Sequence, residues 1–187
     1  METIKAIHSR NSISNLIDPS PSKDEMELVY KSALRAPDHA WLRPWRFIQV
    51  TGDSRSKLSD AFLETYKELG NDLSDELMKK IKKAPFRAPM VLVLIAEVKE
   101  HPKVPAIEQM LSTGSAAQNM LITLHDMGYG AIWRTGKMSF NKHIAQALGL
   151  SKVSQVIGYL YIGTPDPEGR VKKIPHLDKD DYVSYWN

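Results

Sequence analysis

No cysteine occurs among the 187 residues. That absence excludes disulfide bridges, thiolate nucleophiles and cysteine-ligated zinc or iron–sulfur centres, and it suits a reducing cytoplasm. Long apolar stretches are missing too. The longest, Met90 to Ala96, falls far short of the roughly 20 residues that a membrane helix needs. No apolar stretch follows Met1 to Lys5, so no secretory signal is expected. Nor does charge of one sign dominate: 25 basic and 22 acidic residues are interleaved, for a net charge of +3. So mild and dispersed a balance argues against nucleic acid as a partner. The densest basic run, Lys79, Lys80, Lys82 and Lys83 around Ile81, reads as a solvated helix face. A soluble cytoplasmic protein with neither membrane nor nucleic-acid partners is expected.

Several chemistries lack their motifs. The six histidines (His8, His39, His101, His125, His143 and His176) include no pair at helical metal-site spacing, and none follows a zinc-hydrolase pattern. There is no glycine–x–serine–x–glycine elbow and no Walker phosphate loop. Gly128, Gly130 and Trp133 begin like a dinucleotide fingerprint, but tryptophan stands where the third glycine belongs and a strand follows. The chain thus brings neither a nucleophile nor a metal site of its own. Difficult chemistry would have to come from an organic cofactor.

What is present is a regular succession of elements. A short helix is predicted over Glu2 to His8, then a proline-containing loop through Pro21. Ser22 caps a second helix, with Glu25 completing a capping box; Met26, Val29, Tyr30, Ala33 and Leu34 recur at helical spacing, and Pro37 ends it. Arg46 to Thr51 is a strand, and Gly52 and Asp53 turn the chain into a helix to Glu68. A further helix reaches Lys83, and Met90 to Ala96 has the unbroken apolar character of a strand buried on both faces. The longest helix spans Pro105 to Met127, with a patch of small residues around Gly114. Ala131 to Trp133 is a short strand, Phe140 to Leu148 a helix and Gln155 to Ile162 the last strand. Helices around about four strands describe a single three-layer α+β domain. The tail from residue 165 to 187 ends in Tyr182, Tyr185 and Trp186, which would dock on this chain or on a partner.

Three separated segments place an arginine beside a small hydrogen-bonding residue: Arg10 with Ser12, Arg35 with His39, and Arg134 with Thr135 and Gly136. A guanidinium matches phosphate or a delocalised anion with a planar fork, and Gly136 leaves backbone open to a flat ring. In the loop Arg35 to Arg46, Trp41 and Trp45 read as packing residues, and Arg43 and Arg46 as surface charges. The residues allow an enzyme that uses a flat, anionic organic cofactor, a protein that binds or stores such a cofactor with little turnover, or a structural protein whose arginines form a dimer interface.

Arg10-Asn11-Ser12, Arg35 and His39 ahead of Pro44, Trp45, Arg46 and Phe47, Gly130 through Gly136, and Gly158 through Pro165 together resemble the FMN-dependent nitroreductase family, in particular its small bacterial NAD(P)H nitroreductases. The resemblance covers nearly the whole chain. It implies a sandwich with a small central mixed β-sheet, an intertwined homodimer with FMN at the subunit interface, and a C-terminal tail wrapped around the partner. Arg10, Asn11 and Ser12 would hold the FMN phosphate and ribityl chain. Arg35 and His39 would approach the flavin, and Trp133, Arg134, Thr135 and Gly136 would line its far side. The implied reaction is ping-pong: NAD(P)H delivers hydride and leaves, then a nitroaromatic, quinone or similar electron-poor acceptor takes its place. The resemblance names no catalytic side chain and no metal. Many relatives carry a second arginine where Asn11 stands, so Arg170, Lys172 and Lys173 are candidate phosphate contacts, although a solvated tail is the favoured reading for them. The chain also lacks the extra helices of longer relatives, so an open site is expected.

Arg10→Ala should weaken FMN binding by about 1.5–3 kcal/mol, the usual worth of a hydrogen bond to a charged group. Titration of the flavin into apoprotein measures it; unchanged affinity would remove Arg10 from the phosphate site.

Overall fold

The computed structural model describes residues 2–70, 72–170 and 173–186. Its centre is β3 (Met90–Glu97), where every residue from Met90 to Ala96 is buried. Leu92 and Leu94 face one layer of helices, and Val91 and Val93 face the other, as the two-residue period of a strand requires. β2 (Trp45–Thr51) pairs with one edge of β3, and β5 (Ser154–Pro165) with the other. β4 (Gly130–Arg134) pairs with the far edge of β5. A two-residue strand, β1 (Leu16–Ile17), joins the end of β5 within the segment expected to be loop.

Every pairing among the described strands is antiparallel, which corrects the expectation of a mixed sheet. β3 and β4, joined by α5 (Ala106–Asp126), do run parallel to each other. β5, the last strand in the chain, inserts between them, so neither meets a parallel neighbour.

α2 (Lys23–Ala33) and α5 cover one face, burying Met26, Val29, Met120 and Leu124 against Leu92, Leu94, Leu160 and Ile162. On the other face lie α3 (Ser54–Glu68), α4 (Asp75–Lys83) and α6 (Lys142–Ala147). Leu58, Phe62, Ile81 and Ile144 meet Val91, Val93, Tyr159 and Tyr161 there. The result is the expected three-layer α+β sandwich. α1 (Thr3–Ser9) is tied to α5 by a 2.8 Å hydrogen bond between Ser9 Oγ and His125 Nε2.

Local signals account for several boundaries. Ser22 and Glu25 form the reciprocal capping box of α2; the Ser22 hydroxyl and N–H, with the Tyr129 hydroxyl, hold the Glu25 carboxyl below its usual pKa. α2 stops at Ala33, three residues earlier than the restriction imposed by Pro37 alone demands. α6 begins after Asn141, whose side chain accepts from the Ile144 N–H, and Phe140 lies outside the helix at φ +59°. Among the described residues no helix is long and apolar enough to cross a membrane.

Leu160 on β5 packs against the α2 and α5 layer at 0% exposure. Leu160→Ala should cost about 2–5 kcal/mol of unfolding free energy in urea; a loss below roughly 1 kcal/mol would mean that the site collapses around the deletion.

Candidate functional site

β4 has β5 on one side only, and its alternation sends side chains to both layers. Ala131 and Trp133 turn towards α5, and Ile132 towards α3 and α4. Arg134 lies over Tyr161, 5.5 Å from the ring centroid. Beside it opens a cavity of about 530 Å³, with Phe62, Tyr66, Tyr159 and Tyr161 among its walls. Trp133, Arg134, Thr135 and Gly136, the third of the sequence-derived segments, all line it.

The electrostatics of this cavity are one-sided. Lys80, Arg87, Arg134 and Lys137 border it, and among the described residues no aspartate or glutamate does. Arg134 Nε is buried and has no hydrogen-bond partner among the described residues, a state that normally costs free energy. Burial raises the pKa of Tyr161, and the Arg87 and Arg134 guanidiniums pull it part of the way back. Burial raises the pKa of Tyr159 too, and its hydroxyl donates to the Met138 carbonyl at 2.5 Å. Both phenols are therefore neutral at physiological pH. Gly136 adopts φ +95° with open space where a Cβ would lie. A flat ring carrying negative charge fits these donors.

The other two segments lie elsewhere on the chain. Arg10-Asn11-Ser12 leaves α1, and the next residue, Ile13, donates its N–H to Ala131 O at 3.1 Å. That bond holds the segment alongside the start of β4. Asn11 Oδ1 accepts from the Ser12 N–H, while the Arg10 guanidinium has no internal partner among the described residues. Arg170 and Lys173 are exposed, and Lys172 lies outside the described residues.

Arg35 is exposed and borders a shallow hollow with Asp38, Trp41 and Arg43. His39 Nδ1 pairs with Glu108 on the first turn of α5 at 2.8 Å. Ser112 Oγ donates to Pro37 O at 2.6 Å, fixing the loop to the same helix. Within one chain, then, neither Arg10-Asn11-Ser12 nor Arg35 and His39 line the cavity of Trp133 to Gly136.

The loop is strained. Ala40, Trp41 and Arg43 all take positive φ, at +57°, +56° and +49°, a conformation uncommon outside glycine and typical of binding segments. Trp45 is core, as expected, and Arg46 pairs with Glu97 at 2.9 Å. Trp41 corrects the packing expectation: it is 79% exposed, because the left-handed turn lifts it off the sheet.

Sequence reasoning passed over Lys80, Arg87 and the aromatic wall. Lys80 was hidden in a lysine run with the composition of a solvated face. Arg87 had a signal: it opens the same Arg-Ala-Pro sequence as Arg35.

Trp133 is held by glycines. Gly114 faces its ring, and a Cβ on Gly158 would lie 2.0 Å from its Nε1. Gly158 has φ +148° and sits at the register shift between Leu94 and Ile95. Gly158→Ala should therefore displace the indole, cost about 1–3 kcal/mol as overpacking does, and shift tryptophan fluorescence. An unchanged emission and melting curve would mean that the seat is not specific to glycine.

The sequence and the fold are matched by known proteins. The model of the nitroreductase family matches residues 7–164. Two bacterial proteins, each named a putative NAD(P)H nitroreductase, align along almost their full lengths. YdjA of Escherichia coli K12 is 30% identical over 187 residues, covering 100% of both chains. The Haemophilus influenzae protein is 31% identical over 186 residues, covering 99% of this chain and 100% of its own. Among solved structures, a nitroreductase-like protein from Bacillus cereus superposes with a TM-score of 0.82 at 22% identity, over 100% of this chain and 96% of its own. The FMN and NADPH-dependent nitroreductase NfnB of a Sphigopyxis strain gives 0.76 at 18% identity, with 100% of each chain covered. By the span of the family match and the identity to full-length relatives, this chain belongs to the nitroreductase family.

Proposed function

We propose that the chain is an FMN-dependent oxidoreductase, using NAD(P)H to reduce nitroaromatic, quinone or similar electron-poor acceptors, and that it works as a homodimer. The observation that carries this reading is the aromatic, cation-bordered cavity at the end of β4, with the unpartnered Arg134 Nε inside it. Family membership and the NAD(P)H named for the relatives support it.

When bound, FMN supplies the hydride-accepting and hydride-donating chemistry that the side chains lack. Arg10 and Ser12, with Asn11 orienting the turn, hold its phosphate and ribityl chain beside the start of β4. Trp133, Arg134, Thr135 and Gly136 line the ring, and the Arg134 cation stabilises negative charge there without having to reorganise. Arg35 and His39 belong to the site of a second copy. Reductant and acceptor would occupy the same place in turn, and an open site would let solvent supply the protons that reduction of the acceptor consumes.

A dimer answers what the single chain leaves uncovered. Ile107 and Leu111 on α5, Ile4 on α1 and Trp41 are exposed, and so are Tyr182 and Tyr185 in the tail; Trp186 is 100% exposed. Apolar surface of this extent marks an interaction face. In the proposed assembly the 165–187 tail wraps the partner, and each copy lends its strained Arg35 to Arg46 loop to the other's site.

Purified protein should be yellow, with flavin absorbance, and should oxidise NADH or NADPH when given a nitro or quinone acceptor. A colourless protein that FMN does not stabilise contradicts the proposal. Bound flavin that nicotinamides fail to reduce would make the chain a flavin-storage protein instead.

A further inference from the structure

We infer that Lys80 and Arg87 form an anion subsite at the rim of the cavity, which receives the carboxylate or phosphate of the dissociable aromatic reactant. The inference rests on the oxidoreductase reading for what that reactant does, and on geometry for where its charge goes.

Arg87 closes the 3-10 turn Ala84–Arg87 that leads from α4 into β3. α3 clamps this turn from two sides. Arg55 donates to Ala88 O at 2.9 Å and lies over the Phe86 ring at 4.9 Å, while Ser59 Oγ donates to Lys82 O at 2.8 Å. The backbone around Arg87 is thus held in place, yet its guanidinium makes no hydrogen bond or ion pair among the described residues. Lys80, in the last turn of α4, is likewise unpaired among them.

Several cations elsewhere on this chain are paired. Arg55 is committed to the carbonyls of Gly52 and Ala88, Arg46 to Glu97, and Lys31 to Glu27. Around the cavity, four cations gather with no carboxylate among its lining residues. Lys80 and Arg87 are exposed at the rim, and like charges brought together repel one another. An anionic group entering the cavity relieves the repulsion. A guanidinium on a fixed backbone suits carboxylate or phosphate, which it can grip through two parallel hydrogen bonds.

The same walls specify the rest of the ligand. Tyr66 carries Lys137 over its ring at 5.6 Å, and Tyr161 carries Arg134. With Phe62 and Tyr159 they bound a space suited to a planar ring. The subsite therefore selects an aromatic reactant with a negative group at one end. Two sources fit this chemistry: an aromatic carboxylate acceptor, or a phosphate of the pyridine dinucleotide.

Calorimetric titration of the protein as purified, with its flavin, separates the outcomes. The probes are 4-nitrobenzoate against 4-nitrobenzamide, and NADP+ against NAD+. Wild type should bind the more anionic member of at least one pair about tenfold more tightly, and Arg87→Gln and Lys80→Gln should each erode that preference to about threefold or less. Flavin content and affinity for the neutral amide should not change. Loss of preference confined to the carboxylate pair identifies the acceptor as the source of charge, and loss confined to the dinucleotide pair identifies the phosphate; either supports the subsite. Equal wild-type affinity within both pairs overturns it. Loss of flavin from Arg87→Gln also overturns it, because Arg87 would then anchor the flavin. Flavin-free wild type that still prefers the anion supports the subsite while refuting the oxidoreductase reading.

Discussion

The structure depends on the insertion of β5 between β3 and β4. That placement buries the strand on both faces, from Val156 to Gly163, and supplies the shared wall of both helical layers. It also makes β4 an outer strand. Had β4 paired directly with β3, to which it runs parallel, its last residues would lie inside the sheet and not at its margin. The hydrophobic burial that stabilises the fold therefore also determines that Trp133, Arg134 and Gly136 come to the edge of the sheet.

Two local devices then shape the edge. The register shift on β5 and the absent Cβ of Gly158 give the Trp133 indole a seat on the α5 side. Strand alternation sends Arg134 the other way, over Tyr161, into a space whose remaining polar groups are cationic. A guanidinium nitrogen left without a partner there is tolerable only where something else completes its bonding. Arg10-Asn11-Ser12 reaches the same strand from outside, fastened by the bond from Ile13 to Ala131. The remaining arginine segment faces away on the α5 side, with His39 tied to Glu108. In the proposed dimer these separated donors would meet around one site.

Much of this was legible in the sequence. The apolar run of β3, the Ser22 to Glu25 capping box and the small-residue centre of α5 each carry a local physical signal, and each maps onto the structure. The antiparallel pairing was not legible, since it depends on where β5 inserts, and no local pattern encodes that. β1 was missed because two residues carry no periodicity. Trp41 was misjudged because a tryptophan's composition favours burial, whereas three left-handed residues decide its direction. At the site, arginines beside small polar residues could be read as donors. Lys80 and Arg87 needed the third dimension: nothing in a lysine run shows which member borders a cavity.

The central claim is that one site is built from two copies, Arg10 and Arg134 from one and Arg35 and His39 from the other. Co-expression of Arg10→Ala with Arg35→Ala, followed by isolation of the mixed dimer, tests it most directly. In that dimer one site carries both lesions and the other carries neither. The account predicts that the mixed dimer binds FMN at one site with wild-type affinity, while each parental variant binds weakly. Weak binding at every site of the mixed dimer would show that each chain builds its site alone, and would contradict the account.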